Sequence, residues 1–126
     1  MECELRLHNS SFAIVSLELW WLGRTTERYE DYMRQILDLL IAEGVLPILA
    51  TKADNVEGDY SLNYITAKLA YEYDLPLWNF WRAAQDLPNQ GMDPYRDEGF
   101  HISNETWTER RFTALRTLDG MWKGMR

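Results

Sequence analysis

Two short apolar runs, Phe12-Ala13-Ile14-Val15-Ser16-Leu17 and Val45-Leu46-Pro47-Ile48-Leu49-Ala50-Thr51, constrain this chain more than any other feature. Both are rich in branched aliphatic residues and lack the alternation of a strand with one wet face, so each reads as a strand covered on two sides. Pro47 stands near the start of the second run, where a missing backbone donor is tolerable. The segment between them has helical period. Thr25 or Thr26 can cap it, Glu27, Glu30 and Asp31 suit its N-terminal end, and Tyr29, Met33, Ile36, Leu37, Leu40 and Ile41 recur on one face before Gly44. Buried strands joined by a helix pair in parallel through a right-handed crossover.

The alternation continues. Lys52 to Asp59 is a polar loop, Leu62, Ile65, Leu69 and Tyr73 mark a second amphipathic helix that stops before Pro76, and Leu77-Trp78-Asn79-Phe80 reads as a third strand. A last helix is predicted from about Asn104, with Trp107, Arg111, Ala114, Leu115, Leu118 and Trp122 along one stripe, while residues 1–11 read as a polar loop. The expected fold is α/β, a flavodoxin-like three-layer sandwich with a small parallel sheet of about three strands flanked by helices. The whole chain, 126 residues and 46% apolar, forms one domain in this reading. Open sheets of this kind bind ligands at the carboxyl ends of their strands. Those ends are Glu18 to Arg24, Lys52 to Asp59, and the stretch after Phe80.

Composition narrows the partners. A formal net charge of -7 disfavours nucleic acid and anionic membranes, which require clustered Lys and Arg. No apolar run approaches the roughly 20 residues of a membrane-spanning helix. Cys3 is the single cysteine and cannot form an intrachain disulfide. The first residues also lack the basic and apolar regions of a secretory signal, so a cytoplasmic protein is expected.

Chemistry concentrates in Asp93-Pro94-Tyr95-Arg96-Asp97-Glu98-Gly99-Phe100-His101-Ile102-Ser103. A carboxylate a few residues before a histidine can fix the imidazole's tautomer and stabilise its protonated form, as a general base requires. The other histidine, His8, sits in the polar N-terminal segment and reads as a surface or dimer contact. Ser10, Ser11, Ser16, Ser103 and Cys3 are the candidate nucleophiles, and none lies in a strained strand-to-helix turn. Asp54, Glu57 and Asp59 in one loop, and Asp93, Asp97 and Glu98 in another, offer oxygen ligands of the kind calcium takes, although such loops are ordinarily just solvated. No other cofactor is expected, and the two distant histidines and single cysteine suit no zinc site. Trp20, Trp21, Trp78 and Trp81 flank the ends of the first and third strands, where they serve either the core or a ligand pocket.

The order of these elements, with Gly44 to Thr51, Asn63 to Ala70, Leu75-Pro76-Leu77-Trp78-Asn79 and Gly99-Phe100-His101-Ile102-Ser103, resembles the SGNH hydrolases, also called GDSL-like lipases and esterases. The resemblance spans about residues 12–104. It implies that His101 is the catalytic base and that Glu98 or Asp97 is its acid partner; from their place at the carboxyl ends of the strands, Trp20, Trp21, Arg24, Trp78 and Trp81 are the expected substrate-binding residues. The family's Gly-Asp-Ser nucleophile block is absent, and Trp20 stands where its oxyanion-binding asparagine would be. A single truncated SGNH-like domain over residues 1–126 is therefore expected, hydrolysing carboxylic esters or lactones with an activated water or an atypical nucleophile. The alternative is a non-catalytic remnant that binds a ligand or a protein partner. Loss of the family's first strand would also bare the edge of the Phe12-to-Leu17 strand, which implies a homodimer through that edge.

Overall fold

The computed structural model describes residues 2–17, 25–96 and 98–125. Its elements are helix α1 (Glu2–Leu7), strand β1 (Phe12–Val15), helix α2 (Thr26–Ala42), strand β2 (Leu46–Ala50), helix α3 (Ser61–Glu72), strand β3 (Leu77–Trp78), helix α4 (Phe80–Gln85), a 3-10 turn (Pro88–Gly91) and helix α5 (Asn104–Gly124). The three strands form one parallel sheet in the order β1-β2-β3, with Ile14 opposite Ile48 and Ala50 opposite Trp78. Helices cover both faces, so the molecule is the small three-layer α/β sandwich expected. No helix among the described residues is long and apolar enough to cross a membrane.

Side chains alternate across β2 and build two cores. Leu49 faces a layer of Tyr29, Met33, Leu37, Leu40, Leu62 and Leu69 from α2 and α3. Ile48 and Ala50 face the other way, onto Trp78, Phe80 and Ala84, with Ala114, Leu118 and Met121 of α5 closing that layer. Burying each large aliphatic side chain contributes about 1.5–3 kcal/mol, so these layers fix the position of everything at the sheet's edge. Thr25 accepts a hydrogen bond from Arg28 N (3.2 Å) and starts α2 where the sequence placed it.

Three sequence expectations change. Residues 2–7 are helical rather than loop, because Leu5 packs against the α2 layer. The third strand stops at Trp78: Asn79 Oδ1 accepts from Arg82 N (3.1 Å) and caps a helix that the sequence reading missed. The stripe assigned to α5 is split. Ala114 and Leu118 do pack inward, but Trp107, Leu115 and Trp122 are 45%, 66% and 57% exposed. The inward line runs instead through Thr106, which is buried, and Thr113, Ala114, Leu118 and Met121, which are half-buried. Threonine serves there because its hydroxyl bonds back to its own helix, as Thr113 Oγ1 does to Glu109 O (2.8 Å).

Candidate active site

The carboxyl edge of the sheet is tied together by side chains. Thr51 Oγ1 donates to Asn79 Oδ1 (3.1 Å) and accepts from Trp81 N (3.0 Å), joining the ends of β2 and β3. Asn63 clasps the next residue from α3, its amide accepting from Lys52 N and donating to Lys52 O, both at 2.9 Å. Lys52 itself is 4% exposed, and its ammonium donates to Asp54 and Glu57 carboxylates that are equally buried. The ammonium thus stands where a cation would have to bind in the first acidic loop. Asp59 is engaged too, accepting from Ser61 N (3.0 Å) at the start of α3. Among the described residues no group of three His, Cys, Asp or Glu side chains is placed to hold a metal ion.

Behind this loop Tyr29 shares a hydrogen bond with Thr66 (2.9 Å). Burial pushes the Tyr29 phenol up, the Thr66 bond opposes that, and the Glu57 charge adds to the rise. Among the described residues Glu57 Oε1 is buried and has no hydrogen-bond partner.

The histidine loop closes over the same end of the fold. Asp93 N donates to His101 O (2.8 Å), Met92 bridges Ile102, and Ser103 N donates to Gly91 O (3.0 Å), so the loop's two ends lie side by side. Gly91 is required at that junction: its φ is +82°, and a Cβ would come within 3.0 Å of Thr106 and 3.1 Å of Ala84. Ser103 then caps α5, accepting from Thr106 N (3.2 Å). Two turns along α5, Arg110 Nη2 reaches Ser16 Oγ (3.4 Å) just past β1, which places the start of the helix beyond the carboxyl edge.

Within the loop, His101 Nε2 lies 3.6 Å from Glu98 Oε2, and the imidazole stacks on Phe100 at 4.3 Å between ring centroids. The separation is that of an ion pair slightly longer than a direct hydrogen bond. A carboxylate facing Nε2 favours the proton on that nitrogen and leaves the basic lone pair on Nδ1. The imidazole is a quarter exposed.

His101 and Glu98 are thus brought together as the sequence suggested. Asp97, Trp20, Trp21 and Arg24 lie outside the described residues. Trp78 belongs to the core: it is buried, and its indole N–H donates to Thr113 Oγ1 (3.0 Å), so the pocket role expected for it is corrected. Trp81 stays at the carboxyl edge, where Tyr60 meets it edge-on at 5.9 Å. Sequence reasoning missed Tyr60, whose left-handed backbone (φ 57°) carries no mark in the sequence. It also missed Lys52, which reads as one more charge in a polar loop.

No protein-family model and no curated protein sequence matches the chain. Solved structures do. A protein named as an acylhydrolase from Bacteroides fragilis NCTC 9343 superposes with a TM-score of 0.70 at 14% identity, over 88% of this chain and 62% of that one. A GDSL-like lipase from Bacteroides thetaiotaomicron VPI-5482 superposes with a TM-score of 0.63 at 14% identity, over 77% of this chain and 54% of that one. The chain spans less than two thirds of either. At this identity the likeness concerns architecture alone: the chain has a small parallel α/β sandwich like that of these acylhydrolase and GDSL-like lipase structures.

Proposed function

We propose that the protein hydrolyses carboxylic esters or lactones at the carboxyl edge of its sheet, with His101 as general base and Glu98 as the carboxylate that orients it. The observation that carries this reading is the 3.6 Å pair of His101 and Glu98 on a loop pinned at both ends. The names of the two structural neighbours, an acylhydrolase and a lipase, favour the same substrate class.

Water is the nucleophile. Ser103 is occupied in capping α5, Ser10 and Ser11 precede β1 at the opposite end of the sheet, and Ser16 Oγ, at the carboxyl end of β1, accepts from Arg110 (3.4 Å). His101 takes a proton from water as its oxygen bonds the carbonyl carbon. The tetrahedral oxyanion collapses, the ester C–O bond breaks, and the imidazolium returns the proton to the departing alkoxide, giving acid and alcohol. Glu98, about half exposed, or its neighbour Asp97 stabilises the imidazolium between these steps. General-base catalysis supplies roughly 10²–10⁴-fold, enough for activated esters and strained lactones. Trp81 with Tyr60 contacts the acyl portion, and Trp20, Trp21 and Arg24, outside the described residues, are assigned to substrate binding from the sequence alone. The exposed Cys3 thiol suits a cytoplasmic setting.

Turnover of a short-chain nitrophenyl ester and of an acyl lactone tests the proposal. His101→Ala is expected to lower kcat/KM about 100-fold or more. Glu98→Gln should lower it about tenfold, and a chelator should leave it unchanged. An unchanged rate in His101→Ala would sink the mechanism and favour a ligand-binding role.

A further inference from the structure

We propose that two copies of this chain pair through the outer edge of β1, with the bare flanks of their α5 helices packed across the same two-fold axis. Three observations converge on that surface.

The first is the strand edge. Among the described residues β1 pairs with β2 alone. The bond from Leu46 N to Ser11 O turns the Ser11 carbonyl toward β2, and peptide directions alternate along a strand. Phe12 and Ile14 therefore aim their N–H and C=O groups outward. Ile14 is also 40% exposed, although the residue opposite it, Ile48, is fully buried.

The second is the helix flank. Thr113 faces Trp78 of β3, and Arg110 faces Ser16 at the end of β1. At about 100° per residue, rotation from Thr113 through Arg110 leads on to Trp107, Arg111, Leu115 and Trp122, which overhang the β1 side. All four are exposed. Two tryptophans, one with the Arg110 guanidinium 5.6 Å over its ring, and a leucine thus lie exposed on the same side as the strand edge.

The third observation selects a second copy as the occupant, because both parts are self-complementary. An antiparallel pair centred on Ala13 sets Phe12 against Ile14 of the other copy and satisfies all the outward peptide groups at once. On α5 the flank is complementary about Leu115, with Arg111 four residues before it and Asp119 four after. An antiparallel helix pair sets Leu115 against itself, Trp107 near Trp122, and Arg111 beside Asp119 of the other copy, a pairing of opposite charges. Asp119 is exposed and at present bound only to Lys123 of its own helix, one turn on.

The two centres share a level. From Ser16 back to Ala13 is about 10 Å along the strand, and from Arg110 to Leu115 about 7.5 Å along α5, which runs the opposite way. One axis normal to the sheet passes through both.

Sedimentation across micromolar concentrations tests the proposal, and a dimer is expected. Leu115→Glu, at an exposed site, should raise the dimer's Kd at least tenfold with unchanged circular dichroism. Arg111→Asp should weaken it likewise, and Arg111→Asp with Asp119→Arg should restore it. In a Cys3→Ser background, Leu115→Cys should cross-link to itself on mild oxidation, while Arg116→Cys, on the far side of α5, should not. A chain that remains monomeric, even one that recruits a strand from another polypeptide, overturns the proposal. A dimer indifferent to all the α5 changes overturns it as well.

Discussion

Lys52 is the residue on which the carboxyl edge most depends. Its ammonium is buried with the Asp54 and Glu57 carboxylates, and it also donates to the Asp54 carbonyl (3.2 Å), so all of its hydrogens are engaged. Removing one member of such a group strands the charges that remain. Lys52→Met is expected to cost about 3–5 kcal/mol in urea unfolding, the range for a broken buried pair. Glu57→Gln should cost far less, because one of its oxygens already lacks a partner. None of this was legible beforehand. A string of Lys, Asp and Glu between two elements looks solvated, and only the clasp of Asn63 on the Lys52 backbone carries the lysine inward. The pair of His101 and Glu98 was legible, because a three-residue spacing inside one loop limits how far two side chains can separate.

At the level of elements, the sequence spoke where burial is apolar and periodic. Tyr29, Met33, Leu37 and Leu40 of α2, and Leu62, Ile65 and Leu69 of α3, are buried as their spacing requires. Helix α5 differs because its inward line leans on threonines, whose hydroxyls are satisfied by Gly91 O and by Trp78 Nε1, and no hydropathy pattern marks that. Helix α4 is six residues long, too short for periodicity to reveal. The Ser103 cap sets where α5 begins and therefore where the His101 loop ends. Ser103→Ala should lower stability by about 1 kcal/mol, read from the denaturant midpoint. Gly substitution there should cost less.

Across the whole molecule, stability is expected to fall at alkaline pH through two tyrosines. Burial raises Tyr29, and it likewise raises Tyr73, whose hydroxyl also donates to Asp38 (2.9 Å). A group whose folded-state value lies above its unfolded one leaves stability unchanged below the unfolded value, here 10.0 for tyrosine. Stability then falls as pH rises toward the folded value, because the unfolded chain loses its protons first. Unfolding midpoints measured from pH 8 to about 11 should be flat and then decline. Tyr29→Phe should flatten the decline while lowering the plateau by the lost bond to Thr66. A decline of equal slope in the variant would mean that other groups govern it. Glu30 acts at the acid end with the opposite sign: Arg34 and Lys68 hold it low, so its contribution is present at neutral pH and lost on acidification.

The bond from Asp93 N to His101 O closes the histidine loop at its base. The residues between those two form a cassette whose length can change without shifting the sheet or α5, since each doubling of a loop costs only about 0.6 kcal/mol in closure entropy. Glu98 rides inside the cassette, whereas the carbonyl of His101 is part of the clasp. Descendants of this fold could therefore exchange Glu98 and its surroundings freely while the backbone of His101 stays anchored.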